Sequence, residues 1–206
     1  QYEELAREYE TLKSETPEYK SAYGIGFIAP DPAMTLVPIL EPMLSISKKK
    51  DRASFDKWVK TNLTGSPVYE DKLDGMALRL IYVNGDLARI HTRGDGNNGA
   101  DLSHRRHLLL NVPDHIESDA DKGRTEYTGE AFCKFDDFNN YIERHELDAK
   151  EKDPRSIVSG LMKRHKAGDR DDLNIYFKVY SASQSVRENF ETYIDLREYF
   201  TSVGFD

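Results

Sequence analysis

A chain of 206 residues with 38% hydrophobic and 11% aromatic content can build one substantial core, so wholesale disorder is excluded. Its formal charge of −8 argues against tight duplex binding by bulk charge, because nucleic-acid affinity rests largely on neutralised phosphates; local basic patches remain open. The single cysteine, Cys133, excludes an internal disulfide framework and a cysteine-rich zinc site. No stretch approaches the roughly 20 apolar residues of a membrane span, and no charged-then-apolar leader is evident, so the expectation is no membrane association and a reducing cytoplasm. The chain begins at Gln1 rather than methionine, which suggests a piece of something longer.

Tyr2, Leu5, Tyr9 and Leu12 recur at helical spacing among charges and predict an amphipathic first helix ended near Pro17. From Tyr19 to Pro42, glycines and prolines predict an extended connection. A second helix is expected from Asp51, burying Phe55, Trp58 and Val59. Met76, Leu78, Leu80 and Tyr82 then alternate with Ala77, Arg79, Ile81 and Val83, the pattern of a strand covered on both faces. Asn84-Gly85 suits a type I′ hairpin turn, since both central residues need positive φ. The returning strand is expected to place Leu87, Arg89, His91 and Arg93 on one face and Ala88, Ile90 and Thr92 on the other.

Further on, Glu126 to Cys133 reads as a strand, followed by a helix burying Phe135, Phe138, Tyr141 and Ile142. Pro154 suits the first turn of a helix carrying Ile157, Leu161 and Met162. Ile175 to Tyr180 reads as another strand, and Val186, Phe190, Tyr193 and Ile194 as a last helix. Strands and helices mix without regular βαβ alternation, so the expected class is α+β.

The run Glu70-Asp71-Lys72-Leu73-Asp74-Gly75 carries the chemistry, with Thr92-Arg93-Gly94-Asp95-Gly96 one hairpin later. A lysine beside an acid and a glycine at a strand end is a candidate covalent nucleophile, and the arginine with its glycine-rich turn a candidate phosphate handle. Strand alternation puts Glu70 on the face of Lys72, and the hairpin returns Arg93 toward that end of the sheet. Attack by Lys72 needs a neutral amine, which for a free lysine at neutral pH costs roughly 4 kcal/mol unless burial or nearby cations assist. Each residue also has a plain reading: Lys72 as a solvated surface lysine, Arg93 as a partner for Asp95 or Asp101, Tyr180 as a half-buried strand tyrosine. His104 and His107 sit three apart, but nothing nearby completes a ligand set, and a solvated basic helix is preferred; no metal ligands are assigned. Cys133 reads as a buried strand residue. Gly24-x-Gly26 lacks the later glycine of a dinucleotide fingerprint.

Lys72-x-Asp74-Gly75 together with Thr92-Arg93-Gly94-Asp95-Gly96 resembles the adenylation domain of NAD-dependent DNA ligases. Pro42-Met43-Leu44-Ser45-Ile46, Gly99-Ala100-Asp101-Leu102, Thr128-Gly129-Glu130-Ala131-Phe132 and Asp153-Pro154-Arg155-Ser156 resemble further segments of that family, in order. The resemblance implies a nucleotidyltransferase (ATP-grasp-like) fold, with antiparallel sheets flanked by helices around a nucleotide cleft. It divides the chain into a lead-in over 1–40 and a partial adenylation domain over 41–206. It implies a lysyl-AMP intermediate at Lys72 formed from NAD, with Mg²⁺ shielding phosphate charge and nicked duplex DNA as the final substrate.

By the same resemblance Asp74 orients the amine or accepts from the ribose, while Gly75 lets backbone approach the ligand. Glu70 contacts adenine, Ser45 and Ile46 line its pocket, and Tyr180 stacks on it; strand-end packing explains Ser45 and Ile46 nearly as well. Arg93 holds ribose or phosphate, Glu130 sits at the nucleotide, and Arg155 and Lys163 assist DNA phosphate binding. Asp71, Thr128 and Lys163 depart from the proline, arginine and arginine usual at their positions. Nothing after Tyr180 resembles the family's later lysine-bearing strands. The expectations are therefore a truncated chain or one subunit of a split bacteriophage ligase with a second subunit, acting in a bacterial cell or infected host. The alternative from another class is a catalytically silent nucleotide-binding or scaffold subunit.

Overall fold

The computed structural model describes residues 35–38, 43, 49–63, 65–94, 98–148 and 153–205. The expected first helix, most of the 19–42 connection, Gly24-x-Gly26, Ser45 and Ile46 lie outside the described residues. A short strand β1 (Leu36–Pro38) pairs antiparallel with β4 (Asn98–Ala100), Leu36 opposite Ala100. The main sheet contains β2 (Met76–Val83), β3 (Asp86–Thr92), β5 (Arg124–Phe132) and β6 (Tyr176–Ala182), in the order β3-β2-β5-β6, antiparallel throughout. The α+β class holds.

The period-2 pattern of β2 produces two different faces. Leu78, Leu80 and Tyr82 are buried on one, beside Tyr127, Ala131 and Phe177 of the neighbouring strands. Opposite them runs a row of polar partners, His91–Arg79–Thr128–Ser181, from edge to edge of the sheet. The hairpin turn has Asn84 at φ 52 and Gly85 at φ 85, as a type I′ turn requires. A register shift at Ile81/Tyr82 makes Ala88 the extra residue of a bulge. Leu87 is therefore opposite Tyr82 and joins the core face with Ile90, not the Arg89–His91 face that strict alternation predicts.

The helices differ in how much they bury. α1 (Arg52–Asn62) starts where expected, with the Asp51 carboxylate accepting from the Ser54 N–H at 2.8 Å, but it buries none of its residues. Phe55 is 46% exposed and Trp58 and Val59 are half-buried, which corrects the expected core contribution. α2 (Phe135–Arg144) buries Phe138, Tyr141 and Ile142; Phe135, at its first position, is 75% exposed. α3 (Pro154–Met162) is capped by Asp153 and buries Val158, Leu161 and Met162, leaving Ile157 half-buried. The single last helix expected over Val186–Ile194 is two: α4 (Gln184–Arg187) and α5 (Tyr193–Ser202). A reciprocal capping box between Thr192 and Asp195 starts α5 afresh, so its core residues are Leu196 and Phe200, with Ile194 56% exposed. No helix among the described residues is long and apolar enough to cross a membrane.

Ser103–Leu108 forms a 3₁₀ helix rather than the solvated basic helix expected. His104 and His107 are exposed, but Arg105 is buried and pairs with Asp171 at 2.7 Å, because an unpaired guanidinium would be costly inside. Cys133 is buried just past β5, and burial, with Asp137 nearby, pushes its thiol up to about 11.

Asp119 fastens α5 to the sheet. Its buried carboxylate accepts from Tyr127 Oη (2.6 Å), Thr125 Oγ1 (2.7 Å), Lys122 Nζ (2.9 Å) and Tyr199 Oη (3.1 Å). Burial alone would raise its pKa, but the bonds from Tyr127, Lys122 and Thr125 outweigh it and hold the group below 3.8. A depressed carboxyl adds stability that is complete above its unfolded value and lost as pH falls through the folded one. Asp119→Asn should cost about 2 kcal/mol or more at neutral pH and flatten the acid limb of the stability profile, read by denaturant unfolding across pH.

Candidate functional site

Residues 66–74 have neither helix nor strand, so side-chain ties set their position. Gly75 donates its N–H to Glu130 Oε1 at 3.1 Å. A Cβ at position 75 would come within 2.1 Å of the Ala131 carbonyl oxygen, so only glycine lets the chain lie this close to β5. The close approach that the structure shows is to the protein's own sheet. Asp74 Oδ1 accepts from Arg155 Nη1 at 3.0 Å, a tie reaching from the first turn of α3. Glu70 is held on both oxygens, Oε2 accepting from Tyr193 Oη at 2.7 Å and Oε1 from the Arg197 guanidinium.

Lys72 lies between these ties and is exposed. The described residues therefore do not supply the burial that would favour a neutral amine. Its charge nevertheless acts on Glu130. Burial pushes that carboxyl above its usual 4.5, opposed by the Gly75 N–H and then by the charges of Lys72 and Arg155, while Asp74 adds to the rise. Glu130 is opposite Ala77 on one side and Lys178 on the other, and Arg93 follows Thr92, the partner of Leu78. Ala77, between hairpin and acid on this face, is half-buried.

Tyr180 falls at the register shift of the β5–β6 ladder and is 38% exposed. Its phenol is raised by burial first and then by Glu130, and lowered by Arg93 and Arg79, so it lies within the fields of all three charges. Asp101, a partner suggested for Arg93, accepts from Ser103 at 2.5 Å and lies 4.0 Å from Arg89.

The fold thus brings Lys72, Asp74, Glu130, Arg93, Tyr180 and Arg155 to one polar sheet end. Lys163 is not brought to Arg155: it caps the far end of α3, about 12 Å along the axis at 1.5 Å per residue, and is exposed. Sequence reasoning missed the buried pair Arg79–Glu126 (2.8 Å) further along this same face, to which Thr128 adds a bond from Arg79 Nε at 3.3 Å. It also missed Tyr193 and Arg197. A charged residue inside a buried strand, as Arg79 is in β2, was the available signal for the first. Among the described residues, no three His, Cys, Asp or Glu side chains gather as a metal cage.

The family model of the NAD-dependent DNA ligase adenylation domain matches residues 33–206. The chain is 25% identical to a DNA ligase of Endomicrobium trichonymphae over all of its own length and 32% of the relative's. It is 36% identical to a DNA ligase of Halorhodospira halophila over 60% of this chain and 18% of that one. With a DNA ligase of Ruminiclostridium cellulolyticum it shares 32% identity over 68% of this chain and 21% of the relative. The chain therefore spans a third or less of the length of these relatives.

Glu130 gives a signed test of the site's electrostatics. A carboxyl raised by folding favours the folded state fully below its unfolded value and loses that contribution as pH rises through the folded one. Glu130→Gln keeps an oxygen for the Gly75 N–H and removes the buried charge. Its melting temperature should equal or exceed wild type at pH 7, with the difference shrinking toward pH 4, as read by differential scanning fluorimetry.

Proposed function

This chain belongs to the NAD-dependent DNA ligase adenylation family, and we propose that it carries the first chemical step of nick sealing, transfer of AMP from NAD to Lys72. The observation that most supports this reading is the convergence of Lys72, Asp74, Arg155 and Glu130 at the sheet end reached by Arg93 and Tyr180. The Lys72 ammonium gives one proton to solvent, and its lone pair forms an N–P bond to the adenylyl phosphorus. The P–O bond to the nicotinamide mononucleotide breaks, that group departs with the bonding electrons, and the nitrogen sheds a second proton. The product is a lysyl-AMP phosphoramidate, from which AMP passes to a 5′-phosphate at a nick.

Lys72 is exposed in the free protein, so bound nucleotide supplies the desolvation that favours a neutral amine. Arg93 presents a fork suited to a phosphate or ribose, and Tyr180 an aromatic face for adenine. Glu70, fixed by α5, retains acceptor lone pairs for the base amino group. Asp74 and Arg155 hold the Lys72 segment from its C-terminal side, and Arg155 is placed to share a phosphate oxygen as well. Lys163, distant along α3, serves DNA phosphates as a point charge rather than a fork.

Magnesium is bound in phosphoryl-transfer sites through one or two carboxylates completed by phosphate and water. The Glu130 carboxylate, bonded through Oε1 to Gly75, has lone pairs left for one such ligand and fits that role. The ion supplies neutralisation of phosphate charge. Domains beyond this chain would engage the nicked duplex, in line with the share of each relative matched here.

Intact-mass measurement after incubation with NAD⁺ tests the reading, adding the rest of the ligase where needed. The wild-type protein should gain one adenylyl group; Lys72→Ala should gain none, and Arg93→Ala should form the adduct about 100-fold more slowly. An adduct surviving Lys72→Ala would sink the assignment.

A further inference from the structure

Glu70 is two residues before Lys72, and α5 grips it with two prongs. Tyr193 and Arg197 are four apart in α5, hence on one face, and each takes a different oxygen of the same carboxylate. Burial raises the Tyr193 phenol, keeping it a donor. The guanidinium contact is charge-assisted and the half-buried pair is only partly screened.

The prongs stand on a fixed base. Leu196 and Phe200 place α5 in the core, Tyr199 binds the buried Asp119, and the Thr192–Asp195 capping box sets the turn from which Tyr193 extends. Past Lys72, the Asp74–Arg155 pair and the Gly75–Glu130 bond fix the chain again. At no more than about 3.6 Å per residue, Lys72 is within roughly 7 Å of an anchor on either side. Without the α5 grip, the segment from Ser66 to Leu73 would lose the one side-chain tie described for it N-terminal to the lysine.

Resting on the reading of Lys72 as the nucleophile, we infer that Tyr193 and Arg197 are positioning residues for it, acting through Glu70 to hold the amine in line with the scissile phosphate. Positioning sets the attack rate more than it sets the affinity for the nucleotide, because misplacing a reacting atom by about 1 Å costs up to about 100-fold. A tie of merely structural value would instead lower the melting temperature and leave the rate of the folded fraction alone.

The experiment measures single-turnover adduct formation against NAD⁺ concentration in the intact protein, together with melting temperature and hydrogen exchange of the 66–75 segment. Arg197→Ala should slow the maximal rate about tenfold or more, change the half-saturating NAD⁺ concentration less than about threefold, and speed exchange around Glu70. Arg197→Lys should recover part of the rate. Tyr193→Phe, which removes only a hydroxyl, should slow it about threefold and carries the test if Arg197→Ala does not fold.

An unaltered maximal rate in the variants, or a loss confined to half-saturation or to melting temperature, overturns the inference while the wild-type, Lys72-dependent adduct keeps the proposed function standing. Absence of that adduct in wild type overturns both, and shows the fault to lie in the functional reading.

Discussion

The bond from the Gly75 N–H to the Glu130 carboxylate is the constraint on which this site depends. It joins the irregular segment bearing Lys72 to one of the two central strands of a four-stranded sheet, at a place where no side chain fits between them. The same carboxylate is within the electrostatic reach of Lys72 and Arg155 and acts on the Tyr180 phenol. A single acid therefore both locates the Lys72 segment and shapes the charge of the surface before it. Burial raises that acid, and the cations and the amide offset only part of the rise. The protein keeps a partly disfavoured charge there, as sites built for chemistry commonly do.

Beside this surface, on the same face of the sheet, the polar row is unusual in being buried. Arg79 and Glu126 pair at 2.8 Å with almost no exposure, Arg124 adds a second guanidinium at 2.7 Å, and His91 lies fully covered beside them. Burial is the main influence lowering the His91 imidazole, only partly offset by its bond to the Thr92 carbonyl. An apolar row would stabilise a sheet at least as well, since buried ion pairs roughly break even against hydrophobic packing. Fixed dipoles and charges have a different value: they cost no reorganisation when charge develops beside them.

Much of the fold was legible because period-2 and capping signals are local. β2, the Asn84-Gly85 turn, β5, and the starts of α1 and α3 follow from residues a few positions apart. The misses have equally definite causes. Leu87 changed faces because a bulge at Ala88 breaks the alternation that the prediction extrapolated. Phe135 and Ile194 carry apolar side chains at helix N-termini that the fold turns outward, and the capping box at Thr192 was passed over. In the site, the residues close to the Lys72 and Arg93 motifs were legible as a group. Their anchors were not: Glu70 meets Tyr193 and Arg197 across 123 and 127 residues, and no periodicity links such positions.

That separation bears on how the domain works as a unit. Asp119, at the end of a 3₁₀ turn before β5, holds Tyr199; Tyr199 belongs to the helix whose first two turns carry Tyr193 and Arg197; these hold Glu70; and Glu70 is two residues before Lys72. On the other side, Arg155 reaches Asp74 from the first turn of α3, whose apolar face is packed into the same core. An exposed, irregular stretch is thus referenced from two directions to the most buried part of the molecule. Rigidity is borrowed from the core without burying the lysine, which leaves the amine open to a ligand. The position of the Lys72 segment and the packing of the core are consequently linked through α5. Leu196 and Phe200 seat in the core the same helix whose Tyr193 and Arg197 hold Glu70, two residues before Lys72.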